Sequence, residues 1–288
     1  MTNHTNILAH RKLSMRPGQV VLYAAMLLLS FVMLAPIMLA LFNSVKLENQ
    51  ILSANMTFFP RSIHLDNYQY ILERSAKYGT YFKNSLVITL TSVALTLVFC
   101  SLGGYAFAKL PFKGRGLMLA IILFMMTFPL AVLLIPIYIM EYNLKLINTN
   151  IGLILPIVST VVPFCLFIMR GVYMEVPDEL EEAATIDGCG VFQTWLRIML
   201  PAAKGGLAII AIISFYNVWG EYMLSKTLVT RESAMTISVG VTLLKGEGGW
   251  QFGVLGAVVT IAMLPPIIMF MIFQKQLVSG VMSGAIKG

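Results

Sequence analysis

The sequence predicts an all-α integral membrane protein with six transmembrane helices. Of its 288 residues, 58% are hydrophobic and only 11% are charged, and the mean hydropathy is +0.83. A soluble domain carries roughly a quarter charged residues. Six long apolar runs, nearly free of charged residues, each approach or exceed the roughly 20 residues that a helix needs to cross the hydrocarbon core.

The amino-terminal segment predicts a first span that is not cleaved. Residues 1–18 are polar and basic, and an uncharged run follows them. A signal peptide has an apolar core of only about 7–15 residues, which is shorter than this run. We therefore predict a first transmembrane helix at residues 19–42, followed by an external loop with short helices at residues 43–83.

A membrane core at residues 84–273 contains the other five predicted spans. Gly103 and Gly104 would let a second helix approach the first of them closely. Prolines inside the spans, such as Pro129 and Pro136, predict kinks. The five spans are predicted at residues 84–108, 117–140, 150–169, 205–224 and 251–273, with a tail at residues 274–288.

Basic residues predict the orientation of the chain in the membrane. Lys109, Lys113 and Arg115 crowd the loop after the second span, whereas the loop after the third span carries only Lys145. Short cytoplasmic loops are the ones enriched in lysine and arginine. Both termini and the loop at residues 175–203 are therefore predicted to face the cytoplasm.

The loop at residues 175–203, which we call the knob, is the longest acid-rich segment of the chain. Six of the thirteen acidic residues lie between Glu175 and Asp187. Asp178 is predicted to cap a short helix, with Glu181 completing a capping box. Gly188 suits the left-handed residue at which a helix ends.

The second half of the knob predicts another amphipathic helix. Its apolar residues recur at helical spacing and form one face. Pro201 is predicted to end this helix. An ordinary amphipathic loop remains the alternative to a specialised one. The apolar face comprises Phe192, Trp195, Leu196 and Met199.

Three motifs resemble those of a known transporter family. Glu182-Ala183-Ala184, then Gly188 after three residues, then Ile198-Met199-Leu200-Pro201 after nine more, resembles the EAA loop of permease subunits in binding-protein-dependent ABC importers. The terminal residues from Gly280 onward are similar to the G-x-x-x-G-A-x-K-G ending of the maltose-type second permease. Residues 84–85, Pro136 and residues 152–156 are similar to the carbohydrate-uptake branch.

This resemblance implies the fold of type I (MetI-like) ABC importer permeases, in the cytoplasmic membrane of a bacterium. It implies as partners a second permease subunit, a dimer of ABC ATPases and an extracytoplasmic sugar-binding protein. ATP and Mg²⁺ would be bound by the ATPase subunits, so this chain would carry no cofactor and would not be an enzyme. The sequence itself contains no phosphate-binding loop of the G-x-x-x-x-G-K-[ST] type.

The resemblance also implies roles for particular residues. Glu182 would form an ionic contact with an ATPase arginine, Ala183 and Ala184 would allow close seating, and Gly188 would form the turn. The alternatives are a solvated acid and plain helix propensity of the alanines. The full set at the ATPase is Glu182, Ala183, Ala184, Asp187, Gly188, Ile198 and Pro201.

Two further segments would contact partner proteins. The tail would lie at the ATPase interface, unless it is only a frayed terminus. The loop before the last span would reach the binding protein, unless it is only a flexible glycine-rich loop. The tail residues are Gly284, Ala285, Ile286, Lys287 and Gly288, and the loop residues are Lys245, Gly246, Glu247, Gly248, Gly249 and Trp250.

Tyr216, Asn217, Trp219 and Glu221 in the fifth span are the candidates for contact with a sugar. Aromatic residues near a span end are also common interface anchors, which is the competing interpretation. An acid close to the membrane is a functional candidate.

The sequence is compatible with three functions: a sugar-importer permease, an ABC permease for a peptide or amino acid, and a stand-alone secondary transporter or channel. The near absence of ionisable groups inside the spans disfavours the last. The three cysteines and three histidines show no spacing typical of a disulfide framework or a metal site.

Overall fold

The computed structural model describes residues 17–53, 57–246 and 249–285, which are mostly helical. A two-residue antiparallel hairpin, in which Lys245 pairs with Trp250, is the only sheet in this part of the chain. The elements are α1 Pro17–Ser44, α2 Glu48–Ile51, α3 Asp66–Glu73, α4 Ser75–Lys109, α5 Arg115–Phe124, α6 Leu130–Asn143, α7 Asn150–Met174, α8 Glu179–Ile186, α9 Val191–Thr194, α10 Leu200–Ala202, α11 Lys204–Trp219, α12 Met223–Leu228, α13 Ile237–Gly240, β1 Lys245–Gly246, β2 Gly249–Trp250, α14 Phe252–Ala262 and α15 Leu264–Ala285.

The described helices provide up to six membrane spans. Four stretches are long and apolar enough to cross a membrane directly: most of α1, α4 and α7, and the segment Phe252–Lys275 of α14 and α15. Two bent helix pairs bring the number to six when each pair counts as one span. The apolar helices thus agree with the predicted all-α membrane protein.

A proline lies at the break in the third span. Helices α5 and α6, joined by a 3-10 turn at Met125–Thr127, form an angle of 104° at Phe128 and Pro129. Pro129 immediately precedes α6, where its fixed φ angle is tolerated, so this predicted kink is present. Pro136 lies inside α6, which continues through it.

Helices α4, α7 and α11 form the centre of the bundle, and glycines allow them to approach closely. A Cβ atom on Gly104 would lie 2.7 Å from Cβ of Met169, and one on Gly103 would lie 2.6 Å from Cδ1 of Leu166. A Cβ atom on Gly206 of α11 would lie 2.7 Å from Cγ2 of Val172. The predicted close approach at Gly103 and Gly104 is therefore confirmed, because only glycine fits at these contacts.

The helix of the second span begins before the predicted span. Helix α4 begins at Ser75, so the end of the predicted loop at residues 43–83 is helical. The Tyr81 hydroxyl donates to the Glu232 carboxylate at 2.8 Å, and the Asn84 side chain donates to the carbonyls of Ser233 and Met235. These hydrogen bonds to residues 232–235 stabilise the additional turns at the start of α4. Sequence periodicity could not predict contacts between segments so far apart in the chain.

The fifth span also ends earlier than predicted. Helix α11 stops at Trp219, and residues 223–228 form the separate helix α12 instead of completing a span at residues 205–224. At 1.5 Å per residue, the sixteen residues of α11 extend about 24 Å. The hydrocarbon core is about 30 Å thick. Helix α11 crosses it only together with the turn at Ala203 and the chain on either side.

Candidate functional site

The first half of the knob is a helix closed by glycine. Helix α8 ends at Ile186, and Gly188 adopts φ +79°, as predicted. The amide of Gly188 donates to the carbonyl of Thr185, and the amide of Cys189 donates to that of Ala184. This glycine turn sends the chain back toward the membrane.

The start of α8 differs from the predicted capping box. Asp178 has helical backbone angles, and its side chain caps no amide. Its carboxylate instead accepts a hydrogen bond from Nζ of Lys109, at the end of α4. A charged partner on another helix thus replaces the local cap, so the predicted capping box is wrong.

The second half of the knob does not end at Pro201. After α9 the chain makes a π-helical turn at Trp195–Met199, in which the amide of Leu200 donates to the carbonyl of Trp195. Pro201 lies within the short helix α10, and the break occurs at Ala203, where the axis turns by 79° into α11. Pro201 has no amide hydrogen to donate, and the π-helical turn changes the spacing of the backbone hydrogen bonds just before it.

The tip of the knob presents an acid beside an exposed apolar side chain. Glu182 is exposed, and its side chain makes no hydrogen bond or ion pair within the described chain. Ile186, one turn later on the same face, is 86% exposed. An open groove of about 470 Å³ lies beside them, lined by Ala108, Lys109, Asp178, Glu181, Glu182, Thr185 and Ile186.

The other predicted residues of the knob divide into exposed and buried positions. Ala183, Asp187, Gly188 and Pro201 are exposed, and Ile198 is half-buried. Ala184 is only 2% exposed, so its side chain packs inside the knob and is not free to seat a partner. Its predicted role is corrected to that of an internal contact. Sequence reasoning missed Ile186, although it lies four residues after Glu182 on the helix surface.

The four candidates in the fifth span have different environments. Trp219 is 9% exposed, stacks on Phe215, and donates from Nε1 to the carbonyl of Ala262 at 3.1 Å. It is a core residue, which corrects its predicted place on a sugar path. The exposed residues Tyr216 and Asn217 donate to the carbonyls of Pro266 and Ile213.

Glu221 caps a helix. Its two carboxylate oxygens accept the amides of Leu224 at 2.6 Å and Ser225 at 2.9 Å, and the hydroxyl of Ser225 at 2.8 Å. These amides begin α12, where a carboxylate satisfies donors that lack helical partners. The carboxylate is therefore bound within its own chain as a helix cap, and its contact with a sugar stays a prediction.

Glu141, which sequence reasoning placed at the start of a loop, is a buried acid. It lies near the end of α6, is 1% exposed, and its Oε2 has no hydrogen-bond partner in the described structure. A Cβ atom on Gly152, near the start of α7, would lie 3.1 Å from this oxygen. The apolar run before Glu141 did not predict that α6 continues past this residue or that its side chain is buried.

The two predicted partner-binding segments are described in part. Residues 245–246 and 249–250 form the hairpin of β1 and β2, whereas Glu247 and Gly248 lie outside the described residues. The backbone of Gly284 and Ala285 ends α15. Ile286, Lys287 and Gly288 also lie outside the described residues.

Comparison with known proteins identifies the family. Residues 100–283, which include the knob, match the family of binding-protein-dependent transport system inner membrane components. The chain belongs to this family. It is therefore a membrane-embedded transport permease and not an enzyme.

Named relatives and a solved structure match nearly the whole chain. The chain is 32% identical over 255 residues to the sulfoquinovosyl glycerol transport system permease protein SmoH of Agrobacterium fabrum, covering 88% of this chain and 89% of the relative. It is 31% identical to the arabinooligosaccharides transport system permease protein AraQ of Bacillus subtilis, covering 91% and 93%. A chain of a bacterial ABC transporter that imports the polysaccharide alginate superimposes with a TM-score of 0.79 at 23% identity, covering 89% and 95%. This likeness confirms the predicted permease fold.

Proposed function

We propose that the chain is a permease subunit of an ATP-driven importer for a sugar or oligosaccharide, in the cytoplasmic membrane of a bacterium. The observation that carries the proposal is the match of 88% of the chain to relatives such as SmoH, which is named for transport of a glycosylated solute. AraQ, named for arabinooligosaccharides, supports the same class of solute. The chain would form the path across the membrane together with a second permease subunit.

The energy for transport would come from an ATPase dimer that binds ATP and Mg²⁺. The chain has no phosphate-binding loop of its own. Its exposed Glu182 and Ile186 supply a charge and an apolar contact on one helix face. An arginine on the ATPase would suit Glu182, because guanidinium and carboxylate groups can pair through two hydrogen bonds. The tail at residues 284–288 would lie at the same interface.

A binding protein outside the cell would deliver the sugar. The hairpin of β1 and β2 precedes the last span on the side that the basic loops predict to be external. ATP binding would draw the knobs of the two permeases together and exchange an inward-open for an outward-open packing. Each state would expose the path to one side of the membrane.

A permease for a peptide or amino acid is the second candidate, since such permeases share the EAA loop. A stand-alone transporter is the third. It predicts transport without an ATPase and no effect of substitutions at Glu182. The relatives named for glycosylated solutes favour the first candidate.

An uptake experiment tests the proposal. A strain that lacks the gene would be given radiolabelled arabinooligosaccharides, diacetylchitobiose, sulfoquinovosyl glycerol, methionine and a tripeptide, with and without a plasmid copy. We expect the plasmid to restore uptake of a glycoside and not of methionine or the tripeptide. Restored uptake of methionine or the tripeptide alone would refute the sugar assignment, and uptake that survives loss of the ATPase gene would refute the importer mechanism.

A further inference from the structure

One face of α4 is devoted to holding the knob. Ser101, Tyr105 and Lys109 recur every four residues, which places them on the same side of the helix. Each of these three side chains bonds to a residue of the knob. Together they extend over about 12 Å of the helix, at 1.5 Å per residue. We call these three residues the latch.

The outer two members of the latch bind different helices of the knob. Nζ of Lys109 donates to the carbonyl of Val176 at 2.6 Å and to the carboxylate of Asp178, which precede α8. At the other end, Nε1 of Trp195 in the π-helical turn donates to Oγ of Ser101 at 3.1 Å. The knob is therefore attached through both of its halves.

The middle of the latch is buried and joins α7. Tyr105 is 3% exposed, and its hydroxyl donates to Oε1 of Glu181 at 2.7 Å. Its ring packs edge-on against Tyr173 of α7, with the ring centroids 5.8 Å apart. The hydroxyl of Tyr173 in turn shares a hydrogen bond of 2.9 Å with Ser101. Spans two and four thus hold the knob jointly.

The latch side chains are shielded, whereas the side chain of Asp178 is 77% exposed, so the ion pair with Asp178 adds less than the other latch contacts. The side chain of Lys109 is 7% exposed, and Ser101 is 2% exposed. Hydrogen bonds in such surroundings are less screened by water and salt than exposed ion pairs. The close approach of α4 and α7 at Gly104 makes the two helices one unit. In contrast, the connection to α11 is a single bend at Ala203.

We propose that the latch residues Ser101, Tyr105 and Lys109 are positioning residues that make the knob and the inner halves of spans two and four move as one body. This inference rests on the proposed function, because it assumes that an ATPase moves the knob. It adds the route by which the movement reaches the spans. It also predicts that any bending occurs at Ala203 and not between the knob and α4.

The test uses the assembled importer in lipid nanodiscs, trapped with ATP and vanadate. Spin labels at Phe192→Cys and Val98→Cys, in a Cys189→Ser background, measure the distance from the knob to span two; Phe192 is an exposed residue of the knob outside the proposed ATPase contact. A single label at Lys83→Cys reports movement at the outer end of α4 through its access to a water-soluble relaxation agent. Trapping should change this access in the parent complex while the distance between residues 192 and 98 stays the same.

The latch is then weakened by Tyr105→Phe together with Lys109→Met. The double variant removes charge-assisted hydrogen bonds of ordinary strength. The change in access at residue 83 on trapping should therefore fall about tenfold. The distribution of distances between residues 192 and 98 should broaden, and binding of ATP should persist. Lys109→Arg should retain the response, and the matched control Tyr142→Phe with Lys113→Met, which alters exposed side chains, should leave it unchanged.

The outcomes separate the latch from the proposed function. A parent complex that traps no nucleotide with vanadate, or whose label at residue 83 does not respond to trapping, would contradict the proposed function. If the parent responds at residue 83 but the distance between residues 192 and 98 shifts on trapping, or residue 83 responds normally in the weakened variant, the latch is refuted. Should the double variant fail to assemble, the distance in the parent complex decides the question.

Discussion

Two glutamates lie in or beside short helices that follow membrane spans, and they differ in whether their own chain binds them. In α8 of the knob, Glu182 is exposed and its side chain has no partner within the described chain. Just before α12, Glu221 uses both carboxylate oxygens to bind Leu224 and Ser225 of its own chain. The comparison teaches that an acid beside the membrane is evidence for an external partner only when its own chain leaves it unsatisfied.

Reversing the charge of the unsatisfied acid should have the largest effect. We expect Glu182→Lys to lower ATP-driven uptake by tenfold or more, because breaking a buried charge pair at an interface costs about 2–5 kcal/mol. Uptake of the radiolabelled glycoside into cells measures it, with membrane immunoblots for assembly. Glu73→Lys, at an exposed acid outside the knob, is the control. Normal uptake by the Glu182→Lys variant would contradict the inference that an unsatisfied acid beside the membrane marks a contact with a partner.

Removing the satisfied acid should affect stability and not coupling. Loss of a helix cap costs about 0.5–2 kcal/mol, so Glu221→Ala should lower the melting temperature of the purified complex. Uptake per assembled complex should stay close to that of the parent, and Ser225→Ala should show a smaller loss of stability. Full stability combined with lost uptake would instead make Glu221 a transport residue.

The difference between these two acids could not be predicted from the sequence. Both glutamates precede or begin a short helix, and only the folded chain shows which amides each can reach. Local signals succeeded where one residue decides the backbone, as at Gly188, Gly104 and Pro129. They failed at Asp178, whose partner Lys109 lies 69 residues earlier. The burial of Trp219 likewise depends on packing between distant helices.

Shortening the tail should moderately reduce ATP hydrolysis by the ATPase that the knob is proposed to contact. Deletion of residues 284–288 should lower, by a few fold, the ATP hydrolysis that the loaded binding protein stimulates, because the knob, the other proposed contact with the ATPase, remains. The purified complex with its binding protein measures this, and Lys287→Ala is the conservative comparison. Unchanged stimulation would restrict the ATPase contact to the knob.

Glu141 is a third acid to compare, because it is buried and one of its carboxylate oxygens has no hydrogen-bond partner in the described structure. Glu141→Gln should leave thermal stability nearly unchanged or slightly raised, since the amide has the same shape and no charge to desolvate. Glu141→Ala should destabilise the complex, because it leaves a cavity. A large loss of stability or of uptake in the Gln variant would show that the charge itself is needed.

Contact between the knob and an ATPase is the central claim, and a photo-crosslink tests it most directly. A benzophenone amino acid replaces Ile186 at the tip of the knob in intact cells, and the same group replaces Tyr222, an exposed residue at the other end of span five, as the control. We predict that illumination joins residue 186 to the ATPase subunit, and that residue 222 yields no such product. A complex that imports sugar normally but gives no ATPase adduct at residue 186, or gives it at residue 222, would contradict the account.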